Sequence, residues 1–173
     1  GFAQLAPLNV SFDAWFYHPQ MPELTDLAQA FPETPIVMDH VGAPLGIGPY
    51  KGLRDEIFSQ WSANVTALAK CSNVYVKLGG LAMKLTGFGH HKLDVPPSSE
   101  VLAGDWKPYL MHCIEAFGPE RCMFESNFPV DKASCAYTTL WNAFKRLTAD
   151  FSASDKAALF HDTATRFYRI EEA

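Results

Sequence analysis

The sequence predicts an α/β protein built on a parallel sheet. Three observations carry that prediction. Short apolar, β-rich runs alternate with amphipathic segments of ten or more residues, Gly and Pro punctuate the boundaries between them, and three of the four predicted strands end in chemically capable side chains. Strands separated by helices connect through right-handed crossovers and lie parallel. In such sheets ligands gather at the carboxyl ends of the strands.

Leu8–Tyr17 is short and aromatic and predicts the first strand. After His18-Pro19, Leu24, Leu27, Ala28 and Phe31 recur at helical spacing behind Pro22, a residue favoured at helix starts. Ile36–Met38 predicts a second strand, stopped by Gly42 and Pro44, and the Gly- and Pro-rich Leu45–Gly52 predicts a loop. Arg54–Lys70 places Ile57, Trp61, Val65, Leu68 and Ala69 on one helical face. Val74–Leu78 predicts a third strand broken by Gly79-Gly80, followed by a long irregular stretch from Lys84 to about Gly104. Asp105 predicts the cap of a helix running to Phe117, and Gly118-Pro119 ends it. Cys122–Glu125 is the fourth strand. Helices over Cys135–Thr148 and after a Ser152 cap complete the chain.

Composition narrows the function classes. Hydrophobic residues make up 48% and charged residues 19% of the 173, which excludes intrinsic disorder. A net charge of −5 with no basic stripe argues against nucleic acid and anionic membrane as partners. No apolar run approaches the ~18–20 residues of a membrane span, and the first residues lack the features of a signal peptide. The four cysteines show no CxxC spacing and read as buried, reduced thiols. A cytoplasmic chain forming one domain over residues 1–173 is the expectation.

The strand ends supply the candidate site. The first ends in Tyr17-His18-Pro19, the second in Asp39-His40-Val41-Gly42, the fourth in Glu125-Ser126-Asn127-Phe128-Pro129. The third runs through Lys77 into a double glycine, which lets backbone turn or approach closely. An imidazole at a strand end can polarise a carbonyl, bind a metal, shuttle a proton or simply bond a loop carbonyl, so His40 is open to all four roles. Asp39, its neighbour, points to the other face and is expected to bond nearby backbone. His18 is equally open to function and packing. His90-His91 read as solvated loop histidines or as part of a lid, and His112 and His161 as structural or exposed helix residues. No HxH, HExxH or Cys/His cluster forms a metal site.

The segments AFPETPIVMDHVGAP, NVYVKLGGLAM and FGPERCMFESNFPVDK, with the tail SASDKAALFHDTATRFYRI, resemble the amidohydrolase-related TIM-barrel hydrolases. The resemblance is to the branch with lactonases of fuconolactone and pyrone dicarboxylate, and it covers nearly the whole chain. It implies a (β/α)8 barrel that hydrolyses C–O or C–N bonds, with or without a divalent metal. His40 matches the strand-five histidine that polarises the scissile carbonyl or ligates metal. Asn127 matches the aspartate of the S-D-W-P pattern, which activates water and protonates the leaving group. His18 and Lys84 fall where an anionic substrate would be met.

This chain departs from the pattern twice. Asn127 is a neutral amide and cannot act as a general base. Glu125 and Asp131 are nearest in sequence, and strand alternation puts Glu125 on the same face as Asn127. The amino-terminal HxH strand is absent, and barrels run ~200 to over 400 residues. The expectation is therefore a partial (β/α)8 barrel comprising its later strands, incomplete at its amino-terminal side, with an open edge at its first strand. His40, Asn127 and Glu125 are the predicted catalytic residues, and His18 and Lys84 the substrate contacts. No tight metal binding by this chain alone is expected. The predicted partners are a small-molecule substrate and either a second copy or the remaining barrel half. Hydrolysis of a lactone or ester-like carbonyl in a small carboxylated metabolite is the leading reading. A non-catalytic binding or assembly role and a decarboxylase or hydratase are the alternatives.

Overall fold

The computed structural model describes residues 1–171. Its sheet has four parallel strands in sequence order: β1 (Phe12–Ala14), β2 (Ile36–Met38), β3 (Val74–Leu78) and β4 (Cys122–Phe124). Ala14 stands opposite Met38, Met38 opposite Val76, and Leu78 opposite Phe124. Helices α1 (Met21–Ala30), α2 (Arg54–Leu68) and α3 (Ser99–Phe117) make the crossovers. After β4 come α4 (Tyr137–Leu147), α5 (Ala153–Ala157) and α6 (Thr163–Tyr168), with a π turn at Ala158–Asp162. No helix among the described residues is long and apolar enough to cross a membrane.

Strand alternation sorts the core into two layers. Ile36, Met38, Val74, Val76, Leu78, Cys122 and Phe124 face the helices and join Trp61, Trp106, Leu110, Leu140 and Phe144 in one buried cluster. The other face carries Val37, Tyr75 and Met123, covered by Phe167 and Tyr168 of α6. At the amino ends of the strands, Arg121 donates to the carbonyls of Cys71, Val74, Ala69 and Phe117. One guanidinium thereby satisfies the ends of α2 and α3 and the start of β3. All four cysteines are buried and free.

Three boundaries differ most from the sequence reading. The first strand is only Phe12–Ala14, because residues 2–9 coil into turns and Leu8 and Val10 are exposed. Helix α3 starts six residues before Asp105. Its cap is Ser98, whose hydroxyl accepts from Val101 N (3.3 Å), and Pro108 is carried inside the helix. Asp105 has the chemistry of a cap, but the hydroxyl that meets a free N–H at the helix start is that of Ser98. The loop is correspondingly shorter and is organised by two 3-10 turns, Lys84–Thr86 and His90–Lys92.

Freed from capping, Asp105 accepts from His90 Nε2 (2.7 Å). His90 is buried, stacked on Phe88 and edge-on to Trp106, so it fastens this loop to α3 instead of being solvated. His112 is structural, with Nε2 on Ser62 O (2.9 Å). Asp39 reaches across to Lys77 Nζ (2.9 Å) where backbone bonding was expected.

Candidate active site

The carboxyl ends of β2, β3 and β4 converge. Immediately after β2 the chain enters a run of left-handed residues: His40 (φ 54°), Val41 (φ 49°), Gly42 (φ 71°) and Ala43 (φ 41°). Non-glycine residues adopt this region rarely and at a cost of about 1–3 kcal/mol each, so surrounding structure must hold them there. It does so from two sides. Trp61 Nε1 donates to Val41 O (2.7 Å), and Ala43 N donates to His40 O (2.9 Å). The run lifts the His40 side chain over the end of β3 toward β4.

There His40 Nδ1 bonds Glu125 Oε1, which also accepts from His40 N (3.2 Å). Glu125 extends β4 by one rung, its N–H donating to Leu78 O (3.3 Å). The pair bridges the double glycine of β3. A Cβ on Gly79 would collide with the Glu125 side chain and carbonyl, and one on Gly80 (φ 70°) with the His40 ring. Both glycines are thus required for two neighbouring strand ends to meet above them.

Burial opposes protonation of His40. The hydrogen bond and charge of Glu125, with Asp39 and Asp131 behind it, outweigh burial and raise the imidazole above its ordinary value. A carboxylate on Nδ1 selects the tautomer that leaves Nε2 for a reacting group.

Asn127, in the turn after β4, is itself left-handed (φ 51°). Its Nδ2 donates to Asp131 Oδ1 (2.8 Å). Asp131 is fully buried. Burial pushes its carboxyl up to about 7, against the pull of the Asn127 hydrogen bond and the His40 charge.

The structure therefore pairs His40 with Glu125 and Asn127 with Asp131, and puts Asp131, suspected in the sequence only from its nearness, within electrostatic reach of His40 and Glu125. It does not open His18 to solvent. That ring is fully buried against Tyr50, and its Nδ1 accepts from Leu45 N (3.1 Å), so it ties the end of β1 to the loop after β2. Burial lowers its pKa, which fits a neutral ring acting as acceptor. Lys84 is exposed at the turn after β3. One rung below the site, Lys77 pairs with Asp13 (2.7 Å) and Asp39 (2.9 Å), and Tyr168 donates to Asp13 (2.7 Å). Burial opposes its charge, but those carboxylates and the Tyr168 hydroxyl raise its pKa well above the ordinary value and keep it protonated.

The described residues supply too few grouped donors to hold a divalent metal by themselves: no three His, Cys, Asp or Glu side chains among them are grouped to hold one.

Comparison with known proteins identifies the family. The amidohydrolase family model matches residues 1–170. An uncharacterised protein, y4mH of Sinorhizobium fredii, is 39% identical over 98% of this chain and 50% of its own length. An L-fucono-1,5-lactonase of Burkholderia multivorans is 26% identical over 99% of this chain and 55% of its own. The crystal structure of an amidohydrolase from Burkholderia multivorans with bound HEPES superposes with a TM-score of 0.84 at 25% identity, over 98% of this chain and 56% of that one. The chain thus spans about half the length of the curated relatives it matches. With its parallel sheet, its residues gathered at the carboxyl strand ends and a family match along almost its whole length, this chain belongs to the amidohydrolase family.

Proposed function

We propose that this chain carries half of a hydrolase that opens a lactone or ester-like carbonyl of a small carboxylated metabolite, with His40 as its proton-transfer residue. The His40–Glu125 pair above Gly79-Gly80 is the observation that carries this reading. Neutral His40 takes a proton from the attacking water through Nε2 while Glu125 holds Nδ1–H and stabilises the imidazolium. Water oxygen bonds the carbonyl carbon, the tetrahedral centre collapses with cleavage of the C–O bond, and His40 returns its proton to the leaving oxygen. Glu125 is therefore assigned to orienting His40, in place of acting as the base itself. Asn127 holds the water or a substrate oxygen, and Lys84 offers a cation to a substrate carboxylate. The low-identity likeness to fuconolactonases favours a lactone over other carbonyl substrates.

The barrel that this reading needs is closed by strands beyond the four described here. The open edge at β1 carries an apolar groove of about 300 Å³ lined by Phe12, Trp15, Phe16 and Leu24, among others. A second copy or the remaining barrel half would cover it, and the mass of the purified particle separates these. The activity test is proton release from a panel of sugar and pyrone lactones by the assembled protein. His40→Ala is expected to lower kcat/KM by at least about 100-fold. An unchanged kcat/KM would sink the assignment.

A further inference from the structure

Asn127 is an amide where the family pattern carries a carboxylate, and a buried carboxyl lies directly behind it. Asp131 sits in the turn Val130–Ala133 and touches Asn127 twice. Its Oδ1 accepts from Asn127 Nδ2 (2.8 Å), and its N–H donates to Asn127 O (3.1 Å). Oδ2 is buried, the Ala82 backbone also stabilises the carboxylate, and the whole residue has no exposed surface. Burying a carboxyl behind the site costs stability, and the side chain it fixes there is the Asn127 amide. The two ends of an asparagine amide have nearly the same shape, and only hydrogen bonding decides which end faces which way.

We infer that Asp131 is a positioning residue acting through Asn127: by binding the amide nitrogen it leaves Oδ1 as a fixed acceptor for the attacking water. An amide oxygen held this way orients the water's hydrogen but does not remove it, which leaves the proton transfer to His40. The catalytic consequence rests on the hydrolase reading; the anchoring of Asn127 does not.

Two readouts test this. In the unmodified protein, the Asn127 side-chain amide hydrogens are expected to exchange with solvent about ten-fold or more slowly than those of a free asparagine, as followed by NMR. In the assembled enzyme, Asp131→Leu is expected to lower kcat by about 30–100-fold with KM within about three-fold. Asp131→Asn, which keeps an acceptor oxygen, should recover most of that loss. In an Asn127→Ala background, Asp131→Leu should cost no more than about two-fold further, which a merely structural role would not produce. Loss of kcat persisting in full in that background overturns the inference. A lactone hydrolase whose Asn127 amide exchanges freely overturns it alone, whereas a protected amide in a protein that opens no lactone overturns the hydrolase reading alone.

Discussion

His40 Nδ1 is bonded to the carboxylate of Glu125, across 85 positions of sequence, and both residues lean over the two glycines that end β3. This contact decides which histidine nitrogen is free for chemistry. Glu125→Gln keeps the shape but removes the charge that stabilises an imidazolium. It is expected to lower kcat/KM by about 100-fold or more while KM changes little, measured by steady-state lactone hydrolysis.

Stability should fall as pH rises through neutrality. Asp131 in the folded chain keeps its proton up to about 7, whereas the unfolded chain loses it near 3.8. Between those values the folded state binds more protons, so stability declines from about pH 4 to about pH 7 and then levels. His40 adds the same sign: its raised pKa gives stability that is full below 6.5 and is lost as pH rises through the folded value. Urea unfolding between pH 4.5 and 8 should show a decline on the order of a few kcal/mol, much reduced in Asp131→Asn. A rising curve would contradict the burial of Asp131.

Gly80→Ala is expected to damage the site directly. The new methyl meets the His40 ring, and alanine at φ 70° adds about 1–2 kcal/mol of backbone strain. Melting temperature should drop by several degrees and lactone hydrolysis should be lost. Wild-type activity in this variant would mean that His40 sits elsewhere.

The loop after β3 is latched by His90 on Asp105. Asp105→Ala leaves His90 buried without its partner. Backbone amides of residues 87–93 should then exchange faster by hydrogen–deuterium mass spectrometry, while those of β3 stay protected.

Lys77→Met would leave Asp13 and Asp39 facing each other with the shared cation gone. A loss on the order of 1–2 kcal/mol is expected from denaturant unfolding, since Asp39 is left poorly solvated while exposed Asp13 can be hydrated. Adding Asp39→Asn should restore part of it.

Local signals made the α/β alternation legible. Ile36–Met38 and Val74–Leu78 match the observed strands because each is a short apolar run ended by turn residues, and Trp61 and Val65 lie on the buried face that their spacing predicts. His40, Glu125 and Asn127 were visible as polar residues at strand ends, a consequence of parallel topology. What only the tertiary structure decided are the pairings: His40 with Glu125, Asn127 with Asp131, His90 with Asp105, Lys77 with Asp39. A hydrogen bond depends on where two side chains arrive in space. For His40 and Glu125 that meeting is set by strand register, a left-handed backbone run and two missing Cβ atoms, none of which leaves a periodic mark in the sequence.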